Sequence, residues 1–512
     1  MTDLNPKLGR RQLFRAGAVL GLGVTAGLAT APLARAEGRD YALRATYDWA
    51  EAYFTEHGEA QPDVPNEIGG ALAWGQSYIL RSYLAMYQAF GDTRYLDLLC
   101  RNTDAILGNR DSVRGVTDWR GESRPAWRGW QPYTAGQVDV PGANGTPVLR
   151  LRTSQTYANT VVAEVVPESA DRFTVIVTDT RVNVSNTFTK LTMDATSPDY
   201  VVKRILDANP TSTRATAVDL RPDNAPAVPR AGTYTMASAY VVFSVHTGMV
   251  TAPIAEFCRL VRENPILNAR YGAKAARYLQ AARAAVDCHD GEWRQNDQGE
   301  GFYIWPKGTP LAFDGCEMPH NQFLALATTQ LHLAALTGHP AYRDRAVRML
   351  TTFRNDLMVQ GNSYVWHYWW TKGRVYNGYR QVDDVSEWTP AYPSGARQME
   401  DGSHGAVDVE AMLVAQRAGL VFGDADIRRM AATYTDNLMH HDADGTPHVW
   451  SYVNGSGVLG SQDQQAPRWV NLAPWDGRIF THARDIFNRQ QPEPIFGSAL
   501  LGTAFLAAYN RK

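Results

Sequence analysis

Three stretches of this chain repeat one design, and that design limits the fold more than any other feature. Residues 86–99, 331–350 and 421–430 each read as a helix end, a tight turn at Gly91, Gly338 or Gly423, and the start of a second helix. A glycine just past a helix suits the left-handed cap that closes it, and a Pro or Asp after it suits a new helix start. A helical hairpin cannot bury its apolar face alone, so repeated hairpins stack in a line or close into a ring. For a chain of 512 residues the ring is the expectation: a mainly α fold, an (α/α) toroid of helical hairpins.

The period changes between 131 and 245. The runs 148–153, 161–166, 173–178, 188–193 and 234–244 are rich in Val and Thr, alternate apolar with polar, and are separated by Gly, Pro, Asn and Asp. They read as short strands of a small β-sandwich inserted between helices. The expected organisation is a toroid built from 37–130 and 246–512, interrupted by a β-rich module at 131–245. The module is expected to bind carbohydrate or to buttress the rim of the ring.

The first 36 residues read as an address. Arg10 and Arg11 precede an apolar run to about Thr30, and Ala34 and Ala36 form an A-x-A cleavage site. This is the layout of a twin-arginine signal peptide, which carries folded proteins across the bacterial membrane. A secreted or periplasmic protein starting near Glu37 is expected. The formal net charge is -2 with no long basic run, so neither nucleic acid nor a membrane surface is an expected partner. Cys100, Cys258, Cys288 and Cys316 form no C-x-x-C pair. They are equally open to disulfides in an exported protein and to buried thiols. No cofactor or metal is expected; calcium at the Asp/Asn-rich loops stays open, without EF-hand spacing.

The chemistry concentrates between Asp314 and Glu410. Glu317, His320, Asn321, His367, Tyr368, Arg374, Tyr379, Arg380, His404 and Asp408 lie there among Trp366, Trp369 and Trp370. Aromatic faces pack on the C–H faces of sugars while polar groups do chemistry. The competing interpretation is a helical core with satisfied polar groups. Cleavage of a polyuronate by β-elimination needs a neutraliser for the C5 carboxylate, a base for the C5 proton and an acid for the O4 leaving group. His320 and Asn321, at a helix start, suit the carboxylate. Tyr379 suits the acid, with Arg380 beside it to depress its pKa. His404 is the alternative base, with Asp408 to orient it. Glu67, Trp74, Trp127, His246, Glu317, Tyr368 and Arg374 are the expected substrate contacts.

With Pro319-His320-Asn321-Gln322, the aromatic run 364–370 and the stretch 403–410 in view, the chain resembles bacterial (α/α)-toroid polysaccharide lyases, alginate and glucuronan lyases above all. The resemblance covers roughly 40–130 and 246–510. In those lyases an Asn/His pair and a Tyr/Arg pair face the cleft. It implies Asn321, His320, Tyr379 and Arg380 here, with Tyr368 and Tyr376 as alternatives to Tyr379. The β insert departs from the family. The expected function is an exported, monomeric lyase acting on an acidic polysaccharide. The alternatives are a glycoside hydrolase with paired carboxylates among Glu317, Asp383, Asp384, Glu387 and Asp408, a uronate C5-epimerase, and a polysaccharide-binding protein without activity.

Overall fold

A computed structural model describes residues 38–222 and 227–511. The signal segment lies outside the described residues. Among the described residues no helix is long and apolar enough to cross a membrane.

The helices alternate between two layers. In chain order they are α1 (Arg44–His57), α2 (Ser77–Phe90), α3 (Arg94–Gly108), α4 (Ser244–Glu263), α5 (Pro265–Asp287), α6 (His320–Thr337), α7 (Pro340–Asp356), α8 (Gly402–Arg417), α9 (Asp424–Ala432), α10 (Arg478–Gln490) and α11 (Gly497–Asn510). A 3-10 segment, Asp463–Leu472, takes the place of a helix before α10. Neighbour contacts run α2 to α4, α4 to α6, α6 to α8, α8 to the 3-10 segment, that segment to α11, and α11 back to α2. This closed circuit is the inner ring of an (α/α) toroid. Each inner segment packs with one outer helix, and α1 at the beginning of the described chain pairs with α11 at its end.

The two layers differ in sequence for a physical reason. Outer α3 buries Tyr95, Leu96, Leu99, Thr103, Ile106 and Leu107, a stripe at helical spacing that faces the inner ring. Inner α6 is buried all round, every residue from Phe323 to Leu333 included. Small residues let the inner helices meet closely. A Cβ on Gly248 of α4 would lie 2.5 Å from the Leu326 backbone nitrogen of α6. Gly91 and Gly338 close their helices in the left-handed conformation, at φ 70° and 69°. The third repeat turns differently. Gly423 is the extended N-cap of α9, and the left-handed positions are Gly419 and Val421, at φ 67° and 58°.

A two-stranded ribbon follows the outer helix in three successive units: Trp293–Gln295 with Gly301–Tyr303, Met358–Gln360 with Ser363–Val365, and Met439–His441 with Pro447–Val449. From each ribbon a long loop returns to the next inner segment. These loops carry the polar residues described below.

Two four-stranded antiparallel sheets form between α3 and α4. Their strands are β1 (Gly136–Pro141), β2 (Pro147–Thr153), β3 (Val161–Pro167), β4 (Phe173–Asp179), β5 (Val184–Leu191), β6 (Ala215–Asp219), β7 (Gly232–Thr235) and β8 (Ala237–Ser238). The sheet orders are β6-β2-β1-β8 and β5-β4-β3-β7. Leu149, Leu151, Val161, Ala163, Val165, Val175 and Val177 point inward and form a core of their own. The run 234–244 is not one strand. Tyr234 pairs with Ala163, Ala237 pairs with Gln137 in the other sheet, and Val241 pairs with Gly129, so the chain leaves the module beside the strand that entered it. All four cysteines are free thiols, three of them buried.

Candidate functional site

Neighbouring inner segments touch at their N-terminal ends. Asn66, ahead of α2, meets His246 in the first turn of α4, with Nδ2 and Nδ1 3.0 Å apart. Asn321 in the first turn of α6 donates from Nδ2 to Glu400 Oε2 at 3.0 Å, just ahead of α8. Trp469 donates its indole N–H to the Gly402 carbonyl at 2.9 Å. Along one end of the ring the starts of α2 and α4 thus meet as one pair and those of α6 and α8 as another.

At that end Glu400, Asp401 and His404 bring one ligand atom each within 4.8 Å of one another. The local sequence builds this. Asp401 is the N-cap of α8, and its Oδ1 accepts the backbone N–H of Ser403 at 2.8 Å and of His404 at 2.9 Å. The helical turn then brings His404 Nδ1 to 2.6 Å from Asp401 Oδ2. Nδ1 donates to the carboxylate, which leaves Nε2 for chemistry. Both side chains keep solvent access, 15% for His404 and 22% for Asp401. Tyr368 is half-buried and sets its ring edge against His404, with centroids 5.4 Å apart.

Glu400 lies beneath, fully buried. Its Oε1 accepts the Asp401 N–H at 2.9 Å. Asp408, one helical turn beyond His404 and also fully buried, takes the Trp366 indole N–H on Oδ2 at 2.9 Å, while its Oδ1 has no hydrogen-bond partner among the described residues. Burial, reinforced by Asp408, pushes the Glu400 carboxyl well above the ordinary range, and burial does the same to Asp408. The outer groups behave otherwise. Burial opposes the charge on Asp401, but His404 and two backbone N–H groups hold its carboxyl below the usual value. Burial opposes protonation of His404, yet Asp401, helped by Glu400, raises the imidazole above its ordinary value. Burial, with Glu400 and Asp401 close by, also raises the Tyr368 phenol.

These three ligand atoms would suit one small cation. His404 and Asp401 already satisfy each other, and burial shifts Glu400 and Asp408 beneath them toward their neutral forms. The arrangement is complete as an acid–base centre.

Several expected site residues lie elsewhere. Tyr379 is buried among Phe313, Cys316, Trp369 and Val375, and its hydroxyl donates to the Thr389 carbonyl at 2.9 Å. Burial raises its pKa, and Arg380, exposed and facing Asp383, does nothing to lower it. Replacing Tyr379 by Phe is therefore expected to leave turnover unchanged and to cost about 1 kcal/mol of stability for the lost hydrogen bond, read from a urea unfolding curve. His320 is fully buried between Phe323 and Phe353, its Nε2 2.7 Å from Asp356 Oδ2, so it braces α6 against α7. Trp127 is in the core with its indole N–H on the Ile106 carbonyl. Trp366, Trp369 and Trp370 are all buried and are core, not sugar platforms. Asp408 does not orient His404; Asp401 does.

The remaining candidates form the surroundings. Glu67 is clamped by Arg114 at 2.9 Å and Arg128 at 2.8 Å, and although burial opposes its charge these partners keep its carboxyl low. His246 is buried, pushed down to about 3 by burial, and packs behind the half-buried Trp74. Glu317 accepts from Arg374, with Nη1 3.2 Å from Oε1, on an exposed loop edge. Among Glu317, Asp383, Asp384, Glu387 and Asp408, the expected pair of hydrolytic carboxyls, only Asp408 belongs to the centre.

Glu400 and Asp401 were missed by the sequence reading. Asp401 had a local signal, an Asp immediately before a Gly-Ser-His helix start. Glu400 had none, because its meaning rests on Asn321, 79 residues away.

No protein-family model matches the sequence, and no curated protein is similar to it at a significant level. Among solved structures the chain is similar to an inactive variant of an α-1,6-mannanase, GH76A of Salegentibacter sp. HEL1_6, in complex with α-1,6-mannotriose. The identity is 12%, the match covers 53% of this chain and 76% of that one, and the TM-score is 0.31.

Proposed function

We propose that this protein hydrolyses glycosidic bonds of a polysaccharide at the Asp401–His404 centre. One observation carries the proposal: of two adjacent carboxyls, Asp401 is bonded to His404 at 2.6 Å and held low, while Glu400 is fully buried and pushed up. Pairs whose environments push their pKa values apart divide into acid and base roles. Hydrolysis needs a proton for the leaving oxygen and a carboxylate facing the positive charge that develops at the anomeric carbon. In this reading His404, kept protonated by Asp401, gives the proton. Asp401 is the ionised carboxylate. Glu400 and Asp408 lie below, both shifted by burial toward their neutral forms, and Asn321 holds Glu400 in place.

β-Elimination is the second reading, and Tyr368 beside His404 and Asn321 is what favours it. It asks for the reverse tuning. A base must be free of its proton near neutral pH, whereas Tyr368 and His404 are both shifted toward keeping theirs. Hydrolysis therefore comes first.

The test is a panel of neutral polysaccharides, an α-mannan among them, and polyuronates. New reducing ends without absorbance at about 235 nm indicate hydrolysis, and a rise at that wavelength indicates elimination and overturns this reading. With His404 as proton donor, turnover is expected to hold through neutral pH and to fall on the alkaline side. The falling limb lies above the ordinary imidazole value of about 6.5, because the shift is upward. A rate that rises through that range would make His404 a base.

A further inference from the structure

The ribbon of Met439–His441 with Pro447–Val449 carries a second group of ligand side chains, one that the Asp401–His404 centre does not use. His440 and His448 are direct partners across its two strands. Directly opposed residues share one face of a ribbon, with Cβ atoms about 4.5–5.5 Å apart. Both imidazoles turn Nε2 toward a single carboxylate. His440 stands 3.3 Å from Asp442 Oδ1, and His448 stands 3.5 Å from Asp442 Oδ2. His441, on the opposite face, packs against His482 of α10 instead, with ring centroids 4.9 Å apart. Among the described residues no Lys or Arg pairs with Asp442; Arg489 reaches Asp444, at 4.0 Å.

His448 is oriented from behind. Its Nδ1 lies 2.8 Å from Asp463 Oδ2. An ionised carboxylate only accepts, so Nδ1 carries the proton and Nε2 of the neutral ring keeps its lone pair, on the side of Asp442. Asp463 is 3% exposed and is itself fixed, with the Val449 N–H on Oδ1 at 2.8 Å and the Gln490 amide on Oδ2 at 2.7 Å. A carboxylate behind a ligand imidazole is the usual outer shell of a metal site. Gly460 leaves room for the ring, since a Cβ there would lie 3.2 Å from His448 Nδ1. The three ligand atoms are spread wider than the 4.8 Å that encloses those of Glu400, Asp401 and His404, because the imidazoles stand on opposite oxygens of Asp442. Closing the group is a side-chain movement: the His440 side chain is 36% exposed and sets its ring against Trp450 alone.

We infer that His440, His448 and Asp442 form a site for a divalent transition-metal ion of the zinc class. Two imidazoles and one carboxylate suit Zn²⁺, which binds His nitrogen at about 2.0–2.1 Å, and suit Ca²⁺ and Mg²⁺ poorly, since those ions take oxygen ligands. The ion replaces the two contacts between imidazole and carboxylate, and water completes its shell. It fastens the two strands of the ribbon to each other and, through Asp463 and Gln490, to the 3-10 segment and the end of α10. The chain runs on from the ribbon to the back of the centre. The Ser451 carbonyl accepts the Gly402 N–H at 2.9 Å, and the Val453 N–H donates to the Glu400 carbonyl at 3.0 Å. A metal on the ribbon therefore steadies the loop that supports Glu400 and Asp401. The inference does not depend on the hydrolytic reading.

The experiment titrates Zn²⁺, and separately Ca²⁺, into the whole protein, stripped of metal and free of any histidine tag, by isothermal titration calorimetry, and follows the thermal unfolding midpoint beside it. Zn²⁺ is expected to bind with micromolar or tighter affinity and to raise the midpoint, as any ligand of the folded state does, while Ca²⁺ does neither. His440→Gln changes a partly exposed side chain and keeps the fold. It is expected to weaken Zn²⁺ binding by more than the roughly 10–100-fold typical of losing an outer-shell partner, and Asp463→Asn by about that factor. Asp401→Asn alters the other ligand group and is expected to keep the same binding event. The site is thus the event that His440→Gln removes and Asp401→Asn retains. A wild-type protein that takes up no Zn²⁺ overturns the inference, and so does undiminished binding in His440→Gln. Loss of the event in Asp401→Asn overturns it too, because the ion would then belong to Glu400, Asp401 and His404. Where Asp463→Asn fails to fold, His440→Gln and His448→Gln decide.

Discussion

On the proposed hydrolytic reading, replacing Asp401 by Asn is expected to lower glycan cleavage about 10²–10⁴-fold while the protein stays folded, as when a positioned acid–base group is lost. The fold survives because Asn caps helices as well as Asp does, and the N–H groups of Ser403 and His404 keep an acceptor. What disappears is the negative charge. Without it His404 loses the partner that raises its pKa, and the site loses its ionised carboxylate. The pH profile separates these roles from a structural one: the alkaline limb of the rate moves to lower pH in the variant. An Asp401→Asn protein with wild-type turnover would remove the centre from this account.

Replacing Asp356 by Ala costs about 3–5 kcal/mol, the largest stability loss expected here, because it leaves buried donors without an acceptor. Asp356 is 7% exposed and accepts from His320 Nε2 at 2.7 Å, from the Thr371 N–H at 3.1 Å and from the Thr371 hydroxyl. It joins the end of α7 to the start of α6 and to the loop that carries Tyr368. Burial opposes its charge, but His320 and Thr371 hold its carboxyl below the ordinary value. The sign follows from that direction. Its contribution is present above the unfolded-state value of about 3.9 and is lost as pH falls through the lower folded-state value. Urea unfolding of both proteins should show the difference in full at neutral pH and shrinking below about pH 4. A constant difference across that range would mean that Asp356 acts by packing alone.

The contrast between Tyr379 and His404 explains what could be read in the chain. Both lie in Gly-rich surroundings next to charged residues. His404 owes its role to Asp401 three residues earlier, a contact that any helix start with this spacing makes. Tyr379 looked similar, but its environment comes from Phe313, Cys316 and Thr389. Trp127, Trp366, Trp369 and Trp370 misled for the same reason: composition places aromatics near polar groups without saying which face is buried. The repeated hairpins were legible because glycine caps and the helical period are local. Closure of the ring was an inference from repetition, and the pairing of α1 with α11 is seen only in the tertiary structure.

The sequence by itself determined the helical hairpins and most strands of the inserted sheets, because each depends on residues within a few positions of one another; that Asp401, and not Asp408, partners His404 came from the structure. The tertiary structure decided which polar groups share the end of the ring. Asn321 and Glu400 meet across 79 residues, and the Glu400 carboxyl is pushed upward because water is excluded there. Exclusion of water is a property of packing, and packing is set by the whole ring.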